Sequence, residues 1–250
     1  MFITKFSQNL VCVKLIPNNP HVSDMGCGAP SGALAFSGDR MAHRTSVYVD
    51  GFNLYFGALK GTPYKWLNIR SLCEKLLDPV NEITAIKYFT ADVSPTPGDP
   101  DKSQHQQAFL RAIRHVCPEC QVIKGQFRTH EVTKRLVAPI DGHRTALVYD
   151  TTEKGSDVNL AVHLLNDAWQ NRYDCAVIIS GDSDLAESVR LVKQHHPKKV
   201  IGVISPRKKS MSKELAHLAS FMRQVSTAAL AASQLPDEIP GTKIRKPADW

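Results

Sequence analysis

The stretch V-Y-V-D-G-F-N-L at residues 47–54 decides the predicted fold. A strand-like run ends at Asp50, Gly51 interrupts it, and Asn53 follows within one turn. Ligands of open α/β sheets bind beyond the carboxyl ends of the strands, where the strand order reverses. An acid at the end of the first strand therefore predicts a functional site at that edge. Asp50 could instead cap the turn at Gly51, and further acids at the same edge would distinguish the two interpretations.

The composition predicts a soluble globular protein with a polyanionic partner. The 250 residues are 42% hydrophobic and 22% charged, which suits one domain with a sizeable core and tails. The net charge of +7 favours a polyanion as partner or substrate. No apolar run approaches the ~20 residues of a membrane helix, and Lys5 and Lys14 make the amino-terminal segment a poor signal peptide. Because the six cysteines are scattered, we expect reduced thiols in a cytoplasmic protein.

Three regions of the chain differ in their patterning. Residues 1–43 lack a coherent period and are rich in Gly, Pro, Ser and Asn, which predicts a poorly ordered extension. Met41 is a possible alternative translation start, so residues 1–40 could lie outside the native protein. Residues 44–225 form the predicted domain, with strand-like and helical patterns in alternation. Residues 234–250 are Pro-rich and basic, which predicts a disordered tail.

The alternation of strands and helices predicts a mainly parallel sheet in a three-layer α/β/α fold. The run C-A-V-I-I-S at residues 175–180 is typical of a central strand covered on both faces. The other predicted strands lie at residues 47–50, 83–90, 121–125 and 199–205. The predicted helices cover residues 54–58, 67–77, 101–115, 155–169 and 210–221, a further helix ends near residue 195, and the candidate N-caps are Asn68, Asp101 and Ser156.

Residues 126–152 predict an extended arm or lid. Apolar residues alternate weakly on both sides of Asp141-Gly142, a dipeptide that is typical of a hairpin turn. We assign no function to individual residues of this arm. Its basic side chains are Arg128, Lys134, Arg135, His143 and Arg144.

Acids recur where predicted strands end or helices begin. Asp50 and Asp182 each follow an apolar strand, so we expect them at the same carboxyl edge of the sheet. Asp184 lies two residues further on, and a helix that begins at Ser156 would bring Asp157 to that edge. Clustered carboxylates repel one another, and a hard cation such as Mg²⁺ removes the repulsion. Acids around Mg²⁺ or Mn²⁺ suit phosphodiester hydrolysis, because the metal activates water and stabilises charge on the reacting oxygens.

Each of these residues also has a structural interpretation. Asp157 lies in a first helical turn, where the helix dipole favours acids. Asp184 could be an N-cap, with Glu187 completing a capping box. Asn53 could cap its own helix. Asp182 after Gly181 is harder to explain by local structure alone, and the gathering of all the acids at one edge favours a metal site.

Three blocks of the sequence resemble the signature blocks of the NYN-domain family in the PIN-like nuclease superfamily. They are V-Y-V-D-G-F-N-L-Y, E-K-G-S-D-V-N-L-A and I-I-S-G-D-S-D-L, and they occur in the family's order within residues 45–223. The resemblance implies a PIN-like (Rossmannoid) sheet flanked by helices and a divalent-metal-dependent ribonuclease activity. It implies that Asn53 supports the metal ligands or contacts a phosphate. The positions that match the family's acidic metal-binding and catalytic residues are Asp50, Asp157, Asp182 and Asp184.

Basic residues near the predicted edge are candidates for substrate binding. Arg207 and Lys208 directly follow the fifth predicted strand and could neutralise phosphates of the RNA backbone. A solvated basic loop is the alternative for both. Lys154, three residues before Asp157, is a candidate for contact with the scissile phosphate.

Two other local patterns leave alternatives open. Tyr55 and Phe56 could stack on unpaired bases, although core packing is the more ordinary role of such rings. Cys117 and Cys120 form a lone C-x-x-C, and a structural zinc site would need two further ligands. Candidates for such ligands are His115, His130 and His143.

The sequence therefore predicts a divalent-metal-dependent endoribonuclease, with RNA as substrate and a homo-oligomer as a possible assembly. The first alternative is a non-catalytic RNA-binding or regulatory module on the same fold. The second is a small-molecule phosphatase of the haloacid-dehalogenase type, but that chemistry needs an acid two residues after the nucleophile, where this chain has Phe52.

Overall fold

The structure, a computed structural model, describes residues 42–96, 98–206 and 212–250. The strands are β1 (His43–Asp50), β2 (Asn81–Thr90), β3 (Cys120–Lys124), β4 (Gln126–Ile140), β5 (His143–Lys154), β6 (Cys175–Ile179), β7 (Val200–Ser205) and β8 (Phe221–Gln224). The helices are α1 (Gly51–Leu54), α2 (Ile69–Leu76), α3 (Lys102–Val116), α4 (Ser156–Trp169), α5 (Ala186–His195), α6 (Lys213–Leu218) and α7 (Thr227–Ala231). A π-helical turn, Tyr55–Leu59, continues α1, and a 3₁₀ turn, Ser183–Leu185, precedes α5.

The predicted three-layer α/β/α architecture is confirmed. In the described ranges, six parallel strands form one sheet in the order β3-β2-β1-β6-β7-β8, and β4 and β5 form a separate pair. The chain moves outward from β1 to β3, returns to β6 beside β1, and moves outward again to β8. The strand order therefore reverses between β1 and β6, and the crevice at that reversal is where open α/β sheets bind ligands.

Each face of the sheet has its own core, because successive side chains of a strand point to opposite faces. Val47 and Val49 of β1 belong to the core under α2, α3 and α7. Tyr48, between them, belongs to the core under α4, α5 and α6. Both faces of β1 and β6 are buried, which fixes the register of the two strands whose ends form the crevice.

Local sequence signals account for some helix starts but not for others. Asn68 caps α2 as predicted, and its Oδ1 accepts a 3.0 Å hydrogen bond from the Ser71 backbone N–H. Ser156 does not cap α4. It is the first helical residue, and Gly155 at φ 99° supplies the cap position because left-handed backbone favours glycine.

The predicted arm is a β-hairpin formed by β4 and β5. Asp141 and Gly142 have φ values of 47° and 77°, as a type I′ hairpin turn requires. Near the base of the arm, the rings of Phe127 and Phe52 of α1 lie 5.7 Å apart between centroids. This contact joins the arm to the helix that follows β1.

The carboxyl-terminal segment differs from the prediction. Residues 234–250 pack against the core instead of forming a disordered tail. Leu235 and Ile239 are buried, and the Trp66 indole N–H donates a 2.8 Å hydrogen bond to the Pro236 carbonyl. Apolar anchors spaced along this segment outweigh its Pro-rich, basic composition.

Another difference concerns the helix predicted at residues 210–221. The described helix α6 ends at Leu218, and the chain then pairs with β7 as the short edge strand β8. Gly202 of β7 allows this pairing, because a Cβ there would overlap the Phe221 ring.

Most of the extension predicted at residues 1–43, namely residues 1–41, lies outside the described residues. Of the helices in the described ranges, none has the length and apolar character that a membrane span requires.

Candidate acidic site at the sheet edge

Asp50 lies at the carboxyl end of β1, directly beside the end of β6. Its side chain is 5% exposed, and its Oδ1 accepts a 2.9 Å hydrogen bond from the Asn53 N–H, so Asp50 does cap α1. Its Oδ2 accepts a 2.9 Å hydrogen bond from Ser180 Oγ. Burial raises the pKa of Asp50, the hydrogen bonds from Asn53 and Ser180 lower it, and the charge of Asp182 raises it further. Asp50 can therefore cap α1 and also belong to a site at the carboxyl edge of the sheet.

Asn53 connects α1 with the turn after β6. Its Oδ1 accepts a 3.2 Å hydrogen bond from the Gly181 N–H, whereas Asp50 supplies the helix cap. This contact spans the crevice at which the strand order reverses. It fixes the start of the G-D-S-D segment relative to Asp50.

Asp182 and Asp184 lie in the turn that follows β6. The Asp182 N–H donates a 3.1 Å hydrogen bond to Ser180 Oγ, and Asp182 Oδ1 accepts a 3.1 Å bond from the Asp184 N–H. The capping box proposed for Asp184 and Glu187 is not formed, because Glu187 accepts a 2.7 Å hydrogen bond from Arg190 Nε. Asp184 is exposed, whereas Asp182 is half-buried.

Asp157 lies in the first turn of α4 and is half-buried. Its pKa is raised to about 6, first by burial and then by the charges of the other acids. The acids that act on it are Asp50, Asp182, Glu153 and Asp184. The structure therefore brings the four predicted acids close enough to interact electrostatically.

Two further residues belong to this site and were not predicted from the sequence. Ser180 is fully buried and contacts both Asp50 and Asp182, so it holds the two strand ends together. Glu153 acts on the pKa of Asp157 and accepts a 3.1 Å hydrogen bond from the Ser156 N–H. Glu153 lies in the E-K-G-S-D block and Ser180 in the I-I-S-G-D block. Their closeness in sequence to Asp157 and Asp182 was the signal that could have predicted them.

The acids suit a hard divalent cation by their chemistry. Carboxylate oxygens are the protein ligands that Mg²⁺ and Mn²⁺ prefer. Mutual repulsion contributes to the raised pKa of Asp157, and a cation would relieve that repulsion. Among the described residues, no group of three or more His, Cys, Asp or Glu side chains forms a ready-made metal site. Binding would therefore require side-chain rotation, for which the exposed Asp184 has room.

The structure describes only some of the predicted substrate-binding residues. Lys154 is exposed at the end of β5, and its charge acts on Asp150 of the same strand. Arg207 and Lys208 lie outside the described residues. Tyr55 is half-buried and Phe56 is 54% exposed, so core packing does not account for the Phe56 ring.

The C-x-x-C pair belongs to the core. Cys117 and Cys120 are both buried, and the neighbouring Cys120 together with burial raises the pKa of the Cys117 thiol. The candidate zinc ligands His130 and His143 lie on the exposed arm. In the described ranges, no metal-ligand cluster includes these thiols.

Comparisons with known proteins agree with this architecture. The curated protein 6-hydroxy-3-succinoylpyridine 3-monooxygenase HspA of Pseudomonas putida (strain DSM 28022 / S16) is 32% identical over 235 residues, which are 83% of this chain and 75% of that protein. The crystal structure of VPA0982, a protein of unknown function from Vibrio parahaemolyticus RIMD 2210633, has a TM-score of 0.50 at 17% identity, and the match covers 78% of this chain and 98% of that one. The family model described as NYN domain matches residues 44–224. The chain therefore belongs to the NYN domain family of the PIN-like superfamily.

Proposed function

We propose that this protein is a divalent-metal-dependent endoribonuclease. Membership of the NYN family supports a nuclease-like, RNA-related function. The observation that carries the proposal is the position of Asp50 and Asp182 at the adjacent ends of β1 and β6, where Ser180 contacts both and Asp157 is held near enough for the charges to act on its pKa. Such coupling is typical of functional sites, where like charges are held together for a ligand.

The four acids share one role in the proposed mechanism. Asp50, Asp157, Asp182 and Asp184 would hold Mg²⁺ or Mn²⁺. When bound, the metal supplies an activated water and stabilises charge on the phosphodiester oxygens. Ser180 orients Asp50 through its 2.9 Å hydrogen bond, so the carboxylate is positioned before a cation arrives.

RNA would be held by groups around these acids. The Asn53 Oδ1 is occupied by the Gly181 N–H, which leaves its amide N–H groups to donate to a phosphate oxygen. Lys154, Arg207 and Lys208 would neutralise backbone phosphates, which is the sequence-independent part of nucleic-acid binding. The net charge of +7 favours approach of the polyanion.

Cleavage assays test this proposal. The purified protein should cut RNA in the presence of Mg²⁺ or Mn²⁺, and a matched DNA panel measures the preference for RNA. Asp182→Asn should abolish cutting, whereas Glu131→Gln, which removes an exposed acid from β4, should leave it unchanged. Cutting that survives both chelation and Asp182→Asn would rule out the proposal.

The alternative is a non-catalytic RNA-binding or regulatory module. The same acids and basic groups would then hold RNA without hydrolysing it. RNA that is bound tightly and stays intact after long incubation with metal would favour this alternative.

A second candidate function comes from the name of the relative HspA. Its 32% identity over 235 residues makes oxidation of a heteroaromatic ring a candidate for this chain. In such a reaction one atom of O₂ is inserted into the bond between ring carbon 3 and the succinoyl group, the other atom leaves as water, and an added reductant such as NADH supplies two electrons. Incubation with 6-hydroxy-3-succinoylpyridine, O₂ and NADH tests it by mass spectrometry, and unchanged substrate would rule it out.

The cytoplasmic location and the homo-oligomer stay predictions. Leu147 and Tyr149 lie two residues apart on one face of β5 and are 68% and 75% exposed. A second copy of the chain would cover these side chains. Light scattering after gel filtration measures the assembly, and a monomer at high protein concentration would contradict the homo-oligomer.

A further inference from the structure

A second concave site begins one residue after Asp50. It is a cleft of about 660 Å³, which lies within the usual range for small-molecule sites. Gly51 and Phe52 of α1, the π-helical turn, α3 and the end of the carboxyl-terminal segment contribute to its lining. Its aromatic walls are formed by Tyr55, Phe56, Tyr88, Phe109 and Trp250.

The aromatic walls are held in place by contacts with one another. The Tyr88 and Phe109 rings lie 6.0 Å apart, and the Phe109 and Trp250 rings lie 6.2 Å apart. Across the π-helical turn, the Tyr55 and Phe56 rings meet edge to face at 5.3 Å. Tyr88 and Phe109 are buried and support the wall from behind, whereas Phe56 is exposed and Tyr55 and Trp250 are half-buried. A flat aromatic ligand would bury apolar area against these three rings.

The backbone on one side of the cleft is also fixed. A Cβ on Gly51 would lie 2.7 Å from the Phe89 carbonyl oxygen and 2.8 Å from the Tyr88 ring, so only glycine lets α1 approach β2 this closely. The Gln106 side chain donates a 2.9 Å hydrogen bond to the Ala91 carbonyl and accepts a 3.0 Å bond from the Val93 N–H. The cleft is therefore preformed.

Three lysines give the cleft an excess of positive charge. Lys60 Nζ lies 5.1 Å from the Phe56 ring centroid, and Lys65 Nζ lies 5.8 Å from that of Trp250. Lys102 lines the same cleft. Within the described residues, none of these three lysines forms an ion pair with a carboxylate.

The two acids of the lining, Asp99 and Asp249, offset part of this charge and leave an excess of one positive charge among the five side chains. Asp249 Oδ1 lies 3.2 Å from His105 Nε2. Asp99 acts on Tyr55, whose pKa is raised first by burial and then by the Asp99 charge. Unpaired ammonium groups beside aromatic faces match a ligand that combines a ring with a negative charge.

We propose that this cleft binds an aromatic ring that carries an anionic group. The ring lies against the aromatic walls, and the anion lies among Lys60, Lys65 and Lys102. Two sources have this chemistry, namely a nucleotide of an RNA strand and a free heteroaromatic carboxylic acid. The site does not depend on the proposed ribonuclease activity, because it uses none of the carboxylates at the crevice.

Calorimetry with charged and neutral probe pairs tests this site. The pairs are uridine 5′-monophosphate with uridine, and pyridine-3-carboxylate with pyridine-3-carboxamide. EDTA is present throughout, so binding is measured without metal and without cleavage. In at least one pair, we expect the anion to bind about tenfold more tightly than its neutral partner.

Variants locate the binding. Lys60→Met and Lys65→Met should each reduce the affinity for the anion by several-fold and leave the affinity for its neutral partner unchanged. Phe56→Ala should reduce the affinity for both probes. Lys75→Met, which removes an exposed lysine from α2, is the matched control and should change neither. Because Phe56 and Lys60 are exposed and Lys65 is only half-buried, these variants should keep the melting temperature of the parent chain.

The outcomes distinguish the two sources. Binding of the nucleotide alone assigns the cleft to RNA, and binding of the pyridine acid alone assigns it to a small aromatic acid. Binding of both supports the shared chemistry. The proposal is overturned if neither anion binds, if charged and neutral probes bind equally, or if Lys60→Met and Lys65→Met leave anion binding unchanged.

Discussion

At the scale of single residues, Asp157 shows the electrostatic cost of the acidic site. Its folded-state pKa of about 6 lies above the usual value of an aspartate, so its ionised form destabilises the fold. The folded state binds more protons than the unfolded state between about pH 4 and 6. Stability from this group is therefore lost as the pH rises through that window. After a discount for partial exposure, the loss is about 1–2 kcal/mol above pH 6.

Asp157→Asn should consequently stabilise the metal-free protein at neutral pH. We expect a gain of about 1–2 kcal/mol in the free energy of unfolding near pH 7 and little gain near pH 4, because the carboxyl is then protonated. Urea unfolding in EDTA measures both values. Glu131→Gln controls for the removal of a charge, and an equal gain at the two pH values would contradict the explanation.

Ser180→Ala should have the opposite effect. The change leaves Asp50 Oδ2 without its 2.9 Å partner inside the fold, and an unsatisfied buried carboxylate costs about 1–3 kcal/mol. Ser71→Ala in α2, where the side chain is only partly buried, serves as the control. Equal unfolding midpoints for Ser180→Ala and the parent would show that Ser180 does not hold the crevice.

At the scale of elements, the arm should unfold independently of the sheet. Gly142 has a φ of 77°, so Gly142→Ala introduces backbone strain at the hairpin turn. We expect faster proteolysis between β4 and β5 and an unchanged global melting temperature. Gly98→Ala is the control, because nothing lies within 4 Å of an added Cβ there and its φ is ordinary. A large fall in melting temperature would show that the arm is part of the core.

The carboxyl-terminal segment should behave as core. Ile239 is 1% exposed, so Ile239→Ala should reduce the free energy of unfolding by about 2–4 kcal/mol. Ile140→Ala on the arm removes the same atoms from a side chain that is 62% exposed and should change little. Chemical denaturation compares the two variants. Similar small effects would indicate the disordered tail that composition predicts.

Sequence patterns predicted elements well where one local signal decides the structure. Asp141-Gly142 indicates the hairpin because few other dipeptides adopt two positive φ values. The edge strand β8 was missed, since its four residues carry no period and its pairing depends on Gly202 of another strand. The packing of residues 234–250 was missed for a similar reason, because it depends on distant partners such as Trp66.

At the scale of the whole molecule, the sheet order explains which sites the sequence could predict. Asp50 and Asp182 lie at the ends of strands that are neighbours where the strand order reverses. The position of each acid at the end of a strand was therefore enough to predict that both lie at the same edge of the sheet. The aromatic cleft combines residues near positions 55, 105 and 250. No pattern along the chain brings these together, because the carboxyl-terminal segment was expected to be disordered.

Direct binding of Mn²⁺ tests the central claim that the crevice acids form a metal site. Electron paramagnetic resonance counts free and bound Mn²⁺ during titration of the whole chain. We expect the parent and Glu131→Gln to bind Mn²⁺, and Asp157→Asn and Asp182→Asn to bind it at least about tenfold more weakly, because each removes a carboxylate ligand. Equal Mn²⁺ affinity in all four proteins would contradict the account.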